Sequence, residues 1–428
     1  WDQPLAEEDW ERAGEYCLND VDAAEVIFNA TYADYKARKI LSDLTGLPVN
    51  ATTQQHAAKW LFGDDPRPQE KFVYTDLATI FPGYKYSFGK SEYMGEDPSE
   101  GGLVRHKTGV WENVELDDVV SMHPHAAKAL NYFGPYQERF NQLIDARVAV
   151  KHHNFELAGT YFNGALTSYL TEDDADDLAY ALKIVINIVY GMTSAKFDNK
   201  FRHPKNVDNI IAKYGALFMI TLKNELEKMD VNWVHIKTDS IKIADCTPEV
   251  RQFIFDFGKK YGFDFEHEAT YEIMALVNKA VYIAKYGWAE KAKKIGTWEA
   301  VGKQYAMPYV FKTLFTKEPI ELDDYAITKQ ATAPIYIDDR FIGKVCQVYA
   351  SHTGGNMFRV EDEKKDAITG TKGFKWKLFS EMESPEDIDM SYYEHLVVKG
   401  LENIDKVGSA SDLIPDLPAY YSKNLLPF

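Results

Sequence analysis

With 428 residues, 45% of them apolar, the chain exceeds what one hydrophobic core usually serves, so a disordered protein is excluded and two or more lobes are expected. Its net charge of -18 speaks against a broadly basic nucleic-acid-binding surface, although one local basic channel is compatible with it because net charge averages over the whole surface. No apolar run reaches the roughly 18 residues of a membrane span, and WDQPLAEEDW lacks the charged start and apolar stretch of a signal peptide, so a soluble intracellular protein is expected. Cys17, Cys246 and Cys346 are far apart and show no CxxC spacing, which suggests neither a disulfide framework nor a zinc ribbon. A start at Trp1 rather than Met reads as a fragment or processed product.

Residues 7–45 predict helix: Tyr16, Asp20, Ile27 and Tyr35 recur at near-helical spacing until Gly46 and Pro48 stop the pattern. The loop GDDPRPQE follows at 63–70, and 71–120 carries strand-like runs such as KFVYTDL, broken by FPGY and EDPSEGG. Val114, Leu116 and Asp118 alternate in phase, a strand that ends in a carboxylate. Residues 135–192 predict two long helices separated by TEDDADD, whose Thr and Asp residues suit a cap on the second. A third helix, 206–229, carries Ile210, Tyr214, Leu217 and Leu226 on one stripe. It leads into WVHIKTDSIKI, where Val234, Ile236, Ile241 and Ile243 flank a polar tip as in a tight β-hairpin. The rest mixes helix and strand, with a basic-aromatic stretch, TGTKGFKWK, at 369–377 and no internal repeat.

Asp118 at a strand end and Asp239 at a hairpin tip are oxygen donors of the kind hard divalent cations want. Either alone reads as an ordinary surface or turn aspartate. Arg147 and Lys151 lie four apart, on one helix face, and Lys183, Asn187 and Tyr190 share a stripe of the apolar KIVINIVYG segment. His123 and His125 have no partner set at metal-ligand spacing.

Three segments, in this order, resemble the polymerase motifs of family B DNA polymerases of the bacteriophage type. LDDVVSMHPH is similar to D-x-x-S-L-Y-P-S, with Asp118, Ser121 and Pro124 in register; KIVINIVYG is similar to K-x-x-x-N-S-x-Y-G, with Lys183, Asn187, Tyr190 and Gly191 in register. KTDS is similar to D-T-D-S, with Thr238, Asp239 and Ser240 in register and Lys237 at the position of the first Asp. PSEGGLV resembles the glycine-rich linker before the palm, so the likeness covers most of residues 10–285.

The resemblance implies an α+β fold in a right-hand arrangement, with an antiparallel palm sheet, two-helix fingers and a C-terminal thumb. The implied domains are an exonuclease-like remnant at 1–62, linker and first palm segment at 63–125, fingers at 126–192, second palm segment at 193–285 and thumb at 286–428. It implies a DNA-directed DNA polymerase working in phage replication in the cytoplasm of an infected bacterium. Two Mg2+ ions, or Mn2+ in their place, would be held by Asp118, Asp239 and the Val119 carbonyl. The nucleotide would be bound by Ser121, Met122, His123, Arg147, Lys151, Lys183, Asn187 and Tyr190, with His123 standing where the family has a Tyr under the incoming sugar. Primer-template DNA would be contacted by Gly101, Gly102, Lys279, Tyr282 and, in the basic-aromatic stretch, Lys372. The short intervals between Asp118, Lys183 and Asp239 leave little room for the insertions of protein-primed members, which favours a nucleic-acid primer. Tyr16 and Asp20 resemble the last of three exonuclease motifs; the earlier two are absent, so proofreading would need a separate exonuclease chain or other replication proteins. Lys237 and the missing motifs keep open an alternative, a catalytically degenerate DNA-binding replication protein.

Overall fold

The computed structural model describes residues 5–99, 102–362, 364–415 and 417. The chain is α+β, with antiparallel sheets. It divides into two compact units: one comprises Trp1–Gly102, Val120–Phe218 and Gly258–Phe263, the other Leu103–Val119, Met219–Phe257 and Asp264–Phe428.

The first unit is mainly helical. Residues 7–45 form a short 3-10 turn and two helices, Trp10–Ala30 and Tyr32–Thr45, the second ended by Gly46 in the left-handed region. Thr52 opens the helix Thr53–Phe62 with a capping box, its hydroxyl accepting the Gln55 N–H. KFVYTDL is not a strand. Phe72 instead enters an aromatic cluster with Phe62, Tyr132 and Phe133, and the Val73 N–H goes to the Tyr132 carbonyl, so no neighbouring strand pairs with the segment. The first of the two long helices expected over 135–192 is likewise shorter, Gln137–Lys151. It stops where His153 adopts positive φ, and Phe162 and Asn163 do the same further on, which breaks 152–170 into single turns. The second runs as expected, Ala175–Ser194. Its cap comes from Thr171, whose hydroxyl accepts the Asp174 N–H, while Asp174 itself makes no side-chain cap bond.

The second unit holds a seven-stranded antiparallel sheet whose neighbours run Val104–His106, Trp233–Lys237, Ser240–Ala244, Gly109–Val119, Phe265–Asn278, Val281–Ala289 and Trp298–Val301. WVHIKTDSIKI is the expected two-residue hairpin, with Lys237 paired to Ser240. A five-stranded sheet follows, in the order Lys364–Ala367, Met357–Glu361, Ile327–Ile337, Arg340–Gly355 and Trp376–Leu378. The helix Met390–Ile404 packs into the same core through Tyr393, Val397 and Leu401, beside the fully buried Trp376.

At Gly134 the backbone has φ +53, and a Cβ would stand 2.5 Å from the Lys71 carbonyl oxygen. Backbone cannot yield as a flexible side chain does. Gly134→Ala is therefore expected to destabilise the first unit by about 1–3 kcal/mol, measured as a lower unfolding midpoint in a thermal or urea melt.

Candidate active site

Backbone pairing brings two carboxylates together in the second unit. Asp118 lies opposite Ser240 on one side and Glu266 on the other. Asp239 is the residue before Ser240, at the hairpin tip. The tip is fastened by two backbone bonds, Val119 N–H to the Asp239 carbonyl at 2.9 Å and Thr238 N–H to the Leu103 carbonyl at 2.7 Å. Thr238 takes φ +56, as a two-residue hairpin turn requires.

Both carboxylates are half-buried. Burial, then the charge of Asp239 and those of Glu268 and Glu266, push the Asp118 carboxyl up to about 7, with Lys242 acting against them. Burial also raises Asp239, while its own backbone N–H, Lys237 and Lys242 favour its ionised form. The neighbouring Asp117 faces the opposite side of the sheet, wholly buried and pushed up to about 8 by burial and by Glu115. Of the two consecutive aspartates, only Asp118 is offered to a ligand.

The donor chemistry fits a magnesium-type ion: two carboxylates, with the Val119 carbonyl next to one of them, are the oxygen ligands such an ion takes when phosphates and water complete its shell. Among the described residues, no three His, Cys, Asp or Glu side chains converge as a closed metal site. Lys242, which the sequence reading passed over, is 4% exposed, and burial pushes its ammonium down to about 8. Strand alternation was the signal, because Lys242 falls two residues after Ser240 and so on the same face.

The nucleotide-binding residues expected from sequence lie in the first unit. Lys183 and Asn187 are exposed and Tyr190 half-buried on one face of Ala175–Ser194, whose other face buries Leu178, Leu182, Val185 and Val189. That helix packs against Gln137–Lys151, which carries Arg147 and Lys151. None of Lys183, Arg147 and Lys151 is ion-paired with another described residue, and burial lowers the pKa of the half-buried Arg147 guanidinium. Ser121, at φ +49, precedes the helix Met122–Ala129 and gives no side-chain cap. The first amides of that helix therefore lack an intrahelical acceptor, as at an anion-binding N-terminus. Met122 offers only its backbone, since its thioether packs against Gly215.

The His123 ring stacks on Tyr190, centroids 4.1 Å apart and planes within 8°. Burial pushes His123 down to about 4, and its Nδ1 has no hydrogen-bond partner among the described residues. Burial raises the Tyr190 phenol, opposed by a hydrogen bond from Asn209, a second residue the sequence reading missed.

The expected DNA contacts fare differently. Gly101 lies outside the described residues; Gly102, Lys279 and Lys372 are exposed. Tyr282 is 6% exposed and its hydroxyl donates to Glu299 at 2.9 Å, as do those of Tyr271 and Tyr286, which places it in the core rather than on a DNA-facing surface. In TGTKGFKWK, Trp376 is fully buried and donates to the Thr371 carbonyl, so its aromatic residue packs inward while Lys372 faces solvent. Tyr16 and Asp20 are both exposed on their helix.

No protein-family profile and no curated protein matches the chain. Among solved structures, the chain is similar to the family B DNA polymerase of the hyperthermophilic archaeon Pyrobaculum calidifontis, at 13% identity and a TM-score of 0.47. The alignment covers 93% of this chain and 57% of that one, so the chain spans little more than half the polymerase's length. Among the described residues, no helix is long and apolar enough to cross a membrane.

Because His123 is held neutral by the fold, its contribution to stability is present above its unfolded value near 6.5 and is lost as pH falls toward 4. Below about pH 6, wild type should lose stability relative to His123→Phe, with the two curves parallel above pH 7, as read by urea melts across pH.

Proposed function

We propose that the chain performs template-directed DNA synthesis, adding deoxynucleotides to a primer 3′-hydroxyl as a family B polymerase of the bacteriophage type does. The observation that carries this reading is the pair Asp118 and Asp239, two half-buried carboxylates set side by side by strand register and the hairpin tip. Bound there, two Mg2+ or Mn2+ ions would activate the primer hydroxyl and neutralise charge on the triphosphate and leaving group.

The chain's own residues supply the rest. Arg147, Lys151 and Lys183 grip phosphate oxygens, the Arg as a fork and the lysines as point charges. The Ser121 and Met122 amides donate to the same oxygens. His123, neutral and carrying an unpaired Nδ1, lies under the sugar, and Tyr190 supports both His123 and the nascent base pair. Lys237 is exposed beside Asp239 and favours its ionised form, a role a neutral residue could lose without removing a ligand. Gly102, Lys279 and Lys372 are the exposed candidates for duplex backbone.

Primer extension on a defined template tests the proposal. Asp118→Ala or Asp239→Ala should lower magnesium-dependent extension on the order of a thousandfold or more and leave primer-template affinity largely unchanged, whereas Lys237→Ala should stay active. A wild-type chain that binds primer-template DNA yet extends nothing with Mg2+ or Mn2+ would instead establish the degenerate, purely DNA-binding reading.

Sugar selection provides a separate check on His123. An imidazole is smaller than the phenol of the family's Tyr and carries polar nitrogens, so exclusion of a 2′-hydroxyl should be looser. Ribonucleotide use relative to deoxyribonucleotide use should rise in His123→Ala and fall in His123→Tyr, each on the order of tenfold, in competition assays with paired substrates.

A further inference from the structure

In the first unit, Lys85–Ser87 and Lys90–Glu92 form a hairpin whose two-residue turn is Phe88-Gly89. Both turn residues have positive φ, +50 and +77. Such a turn favours Asn-Gly, because a bulky residue at positive φ is strained. Phe88 is also fully exposed, at 103% of its reference surface. The fold thus bears a strained backbone and an unburied ring at one position and gains no packing from either.

The hairpin is fastened: the Tyr86 hydroxyl donates to the Val207 carbonyl at 3.3 Å, and the Lys213 ammonium donates to the Ser91 hydroxyl at 2.8 Å. Beside it opens a cleft of about 490 Å³, lined by Tyr86, Tyr190, Lys196 and Arg202 among others. Lys85, Lys90 and Lys196 are exposed and not ion-paired with any described residue, and Phe197, next to Lys196, is 60% exposed. The acid in the cleft, Asp208, is buried and accepts hydrogen bonds from Tyr74 and Tyr84. In a chain of net charge -18, the cleft offers cations beside aromatic rings, while the acids Glu92, Glu96 and Asp97 line a separate hollow beside Lys85 and Lys90.

We propose that this cleft and hairpin bind single-stranded nucleic acid, with the Phe88 ring stacked on an unpaired base and Lys85, Lys90, Lys196 and Arg202 following the phosphates. A groove of cations with exposed aromatic platforms is the chemistry that holds a single strand regardless of sequence. That the strand is the unpaired template rests on the synthetic function proposed above; the binding itself does not.

The test uses the full chain in EDTA, so that no catalysis contributes, with a labelled oligothymidylate followed by fluorescence anisotropy. Phe88→Ala should weaken binding about tenfold and leave the affinity for blunt duplex unchanged. Phe88→Trp should bind as wild type, and its emission should be quenched as the oligonucleotide saturates it. Being fully exposed, the position can be changed without disturbing the core. Wild-type affinity in Phe88→Ala, or Trp emission indifferent to saturating oligonucleotide, would overturn the proposal and leave the tip to a protein contact. A chain that binds through Phe88 but extends no primer would remove the synthetic reading and keep the cleft.

Discussion

The register that sets Asp118 opposite Ser240 is the constraint from which the candidate active site follows. Side chains alternate across a strand, so a slip of one residue would turn Asp118 to the far face and present Asp117 in its place. The pairing with Ser240–Ala244 is regular, whereas the pairing with Phe265–Asn278 shifts between Leu116 and Asp117. Beyond that shift Asp118 is held on both sides, opposite Ser240 and opposite Glu266. Asp239 in turn is held by main-chain bonds at the tip, and the two carboxylates need no side-chain scaffold to meet.

Burial sets the charge states in each unit. It raises both carboxyls, lowers the ammonium of Lys242, and in the first unit keeps His123 a neutral ring against Tyr190. A neutral imidazole with an unpaired nitrogen and a half-buried guanidinium with no carboxylate partner are each incomplete by themselves. Buried polar groups are ordinarily satisfied, and neither of these finds its partner among the described residues.

Local pattern was legible where one periodicity governed a segment. The alternation of Val234, Ile236, Ile241 and Ile243 around a polar tip sufficed for the hairpin, and the stripe of Lys183, Asn187 and Tyr190 for the exposed face of its helix. It failed where distant partners decide. KFVYTDL has strand composition, but its Phe72 finds an aromatic cluster and its backbone finds no strand. The helix expected to run past Lys151 ends because His153, Phe162 and Asn163 take left-handed conformations that composition does not announce. Asn209 was invisible because its role depends on Tyr190, far away in sequence. Tyr282 carried a motif-like context, yet Glu299 claims its hydroxyl.

The helix Trp10–Ala30 buries none of its residues, and Trp10, Leu18, Val21 and Ile27 are each more than half exposed. Its ring contacts are those of Phe28 with Tyr32 and Tyr35 of the next helix, so most of the segment stands on its own helix-coil equilibrium, which for 21 residues in water is marginal. Its amides therefore exchange hydrogen with solvent through local fraying rather than through unfolding of either unit. This segment loses its backbone bonds first on warming, independently of the sheet that carries Asp118.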